Sequence, residues 1–291
     1  MSLIDLILNL AGLLLWLNWR AQPKDTSRLA PPATLVGTLR RADKPRLEGW
    51  QFPIALVALL TLRALVYWMI GPAVNWSGIL DLGVISISLR SDKLWRMLLF
   101  SGCSFGLTFF VFLLWVLFLS LLQPRGNEVL PFQQFIRASL GAVDSWPRGL
   151  KLILPFVAAV VLWWLASWPL ATWAIVPKPV SAAHRFEQAC VIGLGSYLVW
   201  KYVIALVLGL YLLNSYIYFG RHPFWAYIAA AAQPLLRPLR ALPLRFSRFD
   251  FAPVVAMVLV LFIAQSLERG VTFFGHTHVP GLRDLYMKLP L

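Results

Sequence analysis

Two cations inside apolar runs are the residues with the most obvious chemistry. Arg63 stands in FPIALVALLTLRALVYWMI and Lys201 in CVIGLGSYLVWKYVIALVLGLYLLNSYIYF. A charge in a membrane-length segment is costly, faces protein or water, and marks a functional site by default. A guanidinium or ammonium there could hold an anion or draw one along a path. Neither run carries an acid. The outlets open to these cations are snorkelling, backbone carbonyls, acids such as Asp81 or Glu187 at the outer surface, or acids on a neighbouring subunit.

Other chemistry is sparse. The histidines His184, His222, His276 and His278 fall in loops or at span ends, which disfavours haem ligation within a bilayer. His276 and His278, in GHTHVP, would supply two ligands of an incomplete metal site. Cys103 and Cys190 have no partner at metal-ligand spacing and indicate no disulfide framework. No Walker motif, serine-hydrolase elbow or HExxH occurs. The glycines of IGLGSY (residues 192–197) read as close helix packing. The expectation is a protein that is not an enzyme and holds no cofactor or metal.

The elements that must position these residues follow from composition. The chain of 291 residues is 59% hydrophobic and 13% charged, with mean hydropathy +0.72. Soluble domains run near a quarter charged, so the balance is that of a membrane protein. Fourteen tryptophans suit many membrane–water interfaces. The net charge of +14 is assigned to basic loops and anionic lipid headgroups, not to nucleic acid.

A membrane helix needs about 20 mostly apolar residues. Six segments qualify: Leu3–Trp19, Phe52–Ile70, Trp95–Leu122, Leu152–Val176, Cys190–Phe219 and Ala252–Leu267. The first lacks a basic leader and carries Asp5, so it reads as a retained span. With the N-terminus outside, sixteen Lys and Arg fall on inner loops and eight outside, which favours that orientation. In the first outer loop, Ile85, Ile87 and Leu89 alternate with Ser86, Ser88 and Arg90. That is the period of a strand. A lone strand is unstable in water, so Ile85–Leu89 pairs either with residues near Val74–Trp76 or with the edge of another protein.

The chain also repeats itself. LPFQQFI (130–136) matches HPFWAYI (222–228), and LSLL ending at Leu122 matches LYLLN ending at Asn214. Each copy then runs through a short basic stretch into a span begun by proline, at Pro155 and Pro253. Between the last two spans lies QPLLRPLRALPLRFSRFDFAP (233–253). Leu235, Leu236, Leu239 and Leu242 gather on one helical face and Arg237 and Arg240 on the other, with Arg245 and Arg248 following. Such a segment lies in the headgroup layer, leucines down and guanidiniums among phosphates. Pro234, Pro238 and Pro243 keep it from fusing with the flanking spans. Asp250 precedes the last span, where a carboxylate favours a helix N-terminus. The plainer reading of the four arginines is an ordinary positive-inside loop.

This stretch resembles the repeat signature of the YggT family (also called YlmG), integral membrane proteins of bacteria and plastids. Pro234, Leu235, Pro238, Arg240, Pro243, Asp250 and Pro253 fill the family's pattern. The resemblance covers about residues 105–268; the first copy keeps Pro131, Pro147 and Pro155 but lacks the PLLRPLR run, and its acid, Asp144, is displaced. The resemblance implies no catalysis and an accessory role in membrane-complex biogenesis, cell-division or nucleoid organisation, or cytochrome maturation.

The expected protein is thus an all-α integral membrane protein of a bacterial inner membrane. It has about six transmembrane helices, interfacial amphipathic elbows and one short β-strand in an outer loop. Residues 1–103 form an N-terminal extension, 104–176 and 190–268 two repeats, and 269–291 a polar tail. Its expected function is a scaffold or accessory subunit of a larger membrane complex, bound to anionic lipid through its elbows. The alternative is a small-solute or anion channel with Arg63 and Lys201 in its path.

Overall fold

A computed structural model describes residues 3–21, 49–122, 131–217, 222–241, 245–246, 249–273 and 277–288. Six candidate membrane spans occur among them, by length and composition. Leu242, Pro243, Arg248 and His276 lie outside the described residues, as do the side chains of Arg240 and Arg245.

The chain divides into two compact units, residues 1–78 with 89–109, and residues 79–88 with 110–291. The first unit contains α1 (Leu3–Ala21), α2 (Gln51–Ile70) and the start of α3 (Leu94–Leu122). Helices α1 and α2 pack together, and only Arg63 and Ala64 of α2 are buried. The other residues of α2 are half-buried or exposed and mostly apolar, a surface that suits lipid and not water. Gly12 lets α3 approach α1: a Cβ there would meet Phe105 Cε2 at 2.9 Å. Trp16 and Phe109 pack edge to face with ring centroids 4.8 Å apart.

The expected single strand is one arm of a hairpin. Strand β1 (Ser77–Asp81) pairs with β2 (Ser86–Arg90), while Val74 ends a 3-10 turn. At the turn, Leu82 N–H donates to the Ile85 carbonyl (2.9 Å) and Gly83 N–H to Asp81 Oδ1 (2.9 Å). Gly83 takes φ +85, open to glycine at no steric cost. The strand therefore has a partner within its own chain. Sequence alternation was strong only in β2, because SGILD is too short to display a period.

The second unit holds the rest of α3, then α4 (Pro131–Leu140), α5 (Arg148–Thr172), α6 (Ala182–Gly195), α7 (Trp200–Tyr216), α8 (Pro223–Leu236) and α9 (Ala252–Arg269). Helices α6 and α7 join through a 3-10 turn at Ser196–Val199 into one run of 35 residues. At 1.5 Å per residue such a run is about 52 Å long, well over a ~30 Å hydrocarbon core. It starts eight residues before the expected fifth span, at a Ser181 cap that accepts from His184 N–H (3.1 Å). Polar His184, Arg185 and Gln188 hid that turn from hydropathy. The core joins Val116 and Phe118 of α3, Ile136 of α4, Val203, Val207 and Leu208 of α7, Tyr227 and Ile228 of α8, and Ala256 of α9.

The repeat is visible as a pseudo-twofold pairing. Helices α4 and α8 start at matched prolines, and matched Phe132 and Phe224 touch, with centroids 5.9 Å apart. Contact between equivalent residues is what such an axis produces. Trp115 Nε1 donates to the Val199 carbonyl (3.3 Å) and Trp200 Nε1 to the Leu114 carbonyl (3.2 Å). This reciprocal pair relates positions 85 apart, against 92 for Pro131 and Pro223. The upstream match of LSLL with LYLLN is therefore displaced by about two helical turns.

The prolines act differently from expectation. Pro155 lies inside α5, since that helix begins at Arg148. Pro234 lies inside α8, and the helix gives way to a 3-10 turn only at Arg237–Ala241. A two-residue hairpin follows, β3 (Arg245–Phe246) with β4 (Phe249–Asp250), so Arg245 stands on a strand rather than on a continuing helix. Pro253 is in the first turn of α9, as expected. The expected tail is folded too: β5 (Val271–Phe273) pairs with β6 (Thr277–Val279), and α10 (Leu282–Lys288) follows.

Candidate functional site

The most concentrated polar chemistry lies in the first unit. Arg63 is 3% exposed. Its Nη1 donates to Asn9 Oδ1 (2.7 Å), and its Nη2 to Asp5 Oδ1 (2.7 Å) and Ser104 Oγ (3.1 Å). Tyr67 Oη donates to the same Asp5 oxygen (2.8 Å). Asn9 Nδ2 reaches Ser104 Oγ and Thr108 Oγ1, both at 3.0 Å. The guanidinium also lies 5.2 Å from the Phe100 ring centroid and 5.5 Å from that of Tyr67, a favourable placement for a cation.

The local logic is three helical pairs. Asp5 and Asn9 stand one turn apart on α1, Arg63 and Tyr67 on α2, Ser104 and Thr108 on α3. Residues four apart share a helix face, so each helix presents one polar stripe inward. Burying a lone cation costs several kcal/mol. Here the charge is matched by Asp5, and the remaining donors mostly find oxygen. Of the guanidinium nitrogens only Nε lacks a partner.

Arg63 thus finds its acid in a span, not at Asp81 or Glu187. The signal was available as Asp5 in the first apolar segment, but hydropathy averages one acid away. Lys201 is likewise paired: its Nζ lies 2.6 Å from Glu268 Oε2. Glu268 is the penultimate residue of α9, so Lys201 sits level with the end of the last span and not near midplane.

A third cluster was not anticipated. Lys151 of α5, 6% exposed, donates to Ser120 Oγ (2.7 Å) and the Asp144 carbonyl (2.6 Å). Ser120 donates to Asp144 Oδ1 (2.6 Å), and Arg137 of α4 stands 3.5 Å from Asp144 Oδ2. The acid displaced in the first repeat therefore ties α3, α4 and α5 together. In the second repeat Asp250 instead caps α9, accepting from Ala252 N–H (3.0 Å).

The elbow residues divide by face. Leu236 is buried, Leu235 and Leu239 pack against the core, and Pro234, Arg237 and Pro238 are exposed. The structure thus turns Leu235, Leu236 and Leu239 towards the protein core and leaves Arg237 exposed. Among the described residues no group of three His, Cys, Asp or Glu could hold a metal ion.

The family model CCB3/YggT matches residues 189–271. The protein described as "Uncharacterized protein YggT" of Escherichia coli, in sequences from three strains, is 26% identical over 152 residues, which is 52% of this chain and 72% of the relative. No solved structure matches. The matched segment contains α7, the interfacial α8 and α9 with its proline-led start, the span–elbow–span unit that the repeat predicts. On that segment the chain is similar to the YggT family, and its six candidate spans are those of a multi-pass membrane protein.

Proposed function

We propose that the protein is a membrane scaffold or accessory subunit that helps to assemble or stabilise a larger membrane complex. The observation that supports this is the closure of Arg63 and Lys201 by acids of the same chain, Asp5 and Glu268. A conducting path for anions would keep an accessible cation. A neutralised, hydrogen-bonded pair serves to fix helices. The basic elbows rest on the inner headgroup layer in this reading, with the N-terminus outside, and the host is a bacterial inner membrane.

The test is isolation of the tagged chain from its native membrane in mild detergent, with native mass analysis. A stoichiometric larger complex is the expected outcome. A partner-free chain whose proteoliposomes pass anions, with flux lost in Lys201→Leu, would reverse the reading in favour of a channel.

A further inference from the structure

The α6–α7 run is interrupted at a point its sequence weakens. Ser196–Val199 form a 3-10 turn directly after Gly195, and a Gly–Ser pair is among the few common causes of a break in a helix. Ser196 Oγ donates to the Gly193 carbonyl (2.7 Å), and Trp200 N–H to the Tyr197 and Leu198 carbonyls. A tightened stretch of this kind inside a helix often marks a hinge.

The tip of the β1–β2 hairpin sits at this point. Of the turn residues 82–85 only Val84 is buried, at 1% exposure. A Cβ on Gly195 would stand 2.5 Å from Val84 Cγ2. A valine methyl therefore fills the space that any larger residue at 195 would need. Valine is stiff at χ1, and the turn that carries it is held by the Leu82 and Gly83 hydrogen bonds. Helices α3 and α5 also grip the run: Trp115 Nε1 donates to the Val199 carbonyl, and Tyr197 Oη to the Leu152 carbonyl (2.6 Å). Those bonds hold the 3-10 turn itself, whereas Val84 meets the helix at its entrance.

We propose that the β1–β2 hairpin governs a hinge in the α6–α7 run: Val84, seated against Gly195, holds Ser196–Val199 in the tightened form, and withdrawal of the tip lets the turn relax towards α-helix. Each residue that makes this change loses about 0.5 Å of rise and about 20° of twist. Next in the chain come Trp200, bonded to the Leu114 carbonyl, and Lys201, paired with Glu268, so the hinge sets where both contacts fall. Gly83 and Ser86, on either side of the tip, are exposed, which leaves the hairpin accessible at the protein surface. This device does not depend on the scaffold reading.

The experiment uses the full chain in detergent with Cys103→Ser and Cys190→Ser. Spin labels at Phe186→Cys and Leu206→Cys, both at exposed positions, report the distance across the hinge. The expected result is one narrow distribution with Val84 in place. In Val84→Gly a second population appears, or the mean shifts by about 2 Å, the change of rise over four residues. An unchanged distribution would overturn the proposal. A cysteine pair keeps the test independent of whether Val84→Gly folds. Val84 Cβ lies 3.8 Å from the Cβ position of Gly195, the separation found in a disulfide. Val84→Cys with Gly195→Cys is expected to oxidise to a locked form whose amides at residues 197–200 exchange at the parent rate. Reduction is expected to raise that exchange several-fold. Failure to cross-link, or equal exchange in the oxidised and reduced forms, would count equally against the hinge.

Discussion

The cluster around Arg63 turns on a single asymmetry. Removing one member of a buried ion pair leaves the other charge without compensation, whereas removing both leaves an apolar contact. Asp5→Leu or Arg63→Leu alone is expected to lower stability in detergent by about 3–5 kcal/mol. The double variant Asp5→Leu, Arg63→Leu is expected to recover most of that loss. Thermal unfolding of the four proteins decides it, and additive losses would show that the pair does not act as a unit. The same reasoning puts Lys151→Met above Arg137→Met in cost, because Lys151 is buried among three acceptor atoms while the Arg137 side chain is 57% exposed.

The elbows are positioned by their helices more than by their charges. Helix α8 anchors through Tyr227, fully buried, with its ring 4.7 Å from Phe132 and its Oη 3.3 Å from the Leu119 carbonyl. That carbonyl belongs to a helix, so the hydroxyl contact adds little. Tyr227→Ala is expected to cost about 3–5 kcal/mol by the loss of ring packing, and Tyr227→Phe about 1 kcal/mol or less; denaturant titration separates the two. The segment after α9 has its own pH signature. Burial pushes the Tyr286 phenol up to about 12 from 10.0. A folded value above the unfolded one means the stabilisation is intact below about pH 10 and is lost as pH rises towards 12. The denaturant midpoint for unfolding should therefore fall between these values in the parent chain by more than the other titrating groups account for. In Tyr286→Phe that excess should be absent.

At the scale of the molecule, two span–elbow–span units pair around matched aromatic residues, and an additional three-helix unit is held by a buried ion cluster. The basic bias predicts that a cysteine placed at Lys178 is labelled from outside intact spheroplasts by a membrane-impermeant maleimide and one placed at Arg237 is not. The reverse pattern would invert the topology and move the elbows to the opposite leaflet. Six spans, the strand at residues 86–90 and the likeness to the YggT family were legible in the sequence. Hydropathy and period are local sums, and proline spacing carries the family pattern. Partners for Arg63 and Lys201 were not legible, because each depends on a side chain brought close from elsewhere in the chain, and that of β2 was not because SGILD is too short to display a period. Asp5 lies 58 residues from Arg63, and Glu268 lies 67 residues from Lys201. Composition thus determined that the chain is a helical membrane protein. Only tertiary packing decided that its intramembrane charges are neutralised, since charge matching depends on distance in space and not on order in the chain.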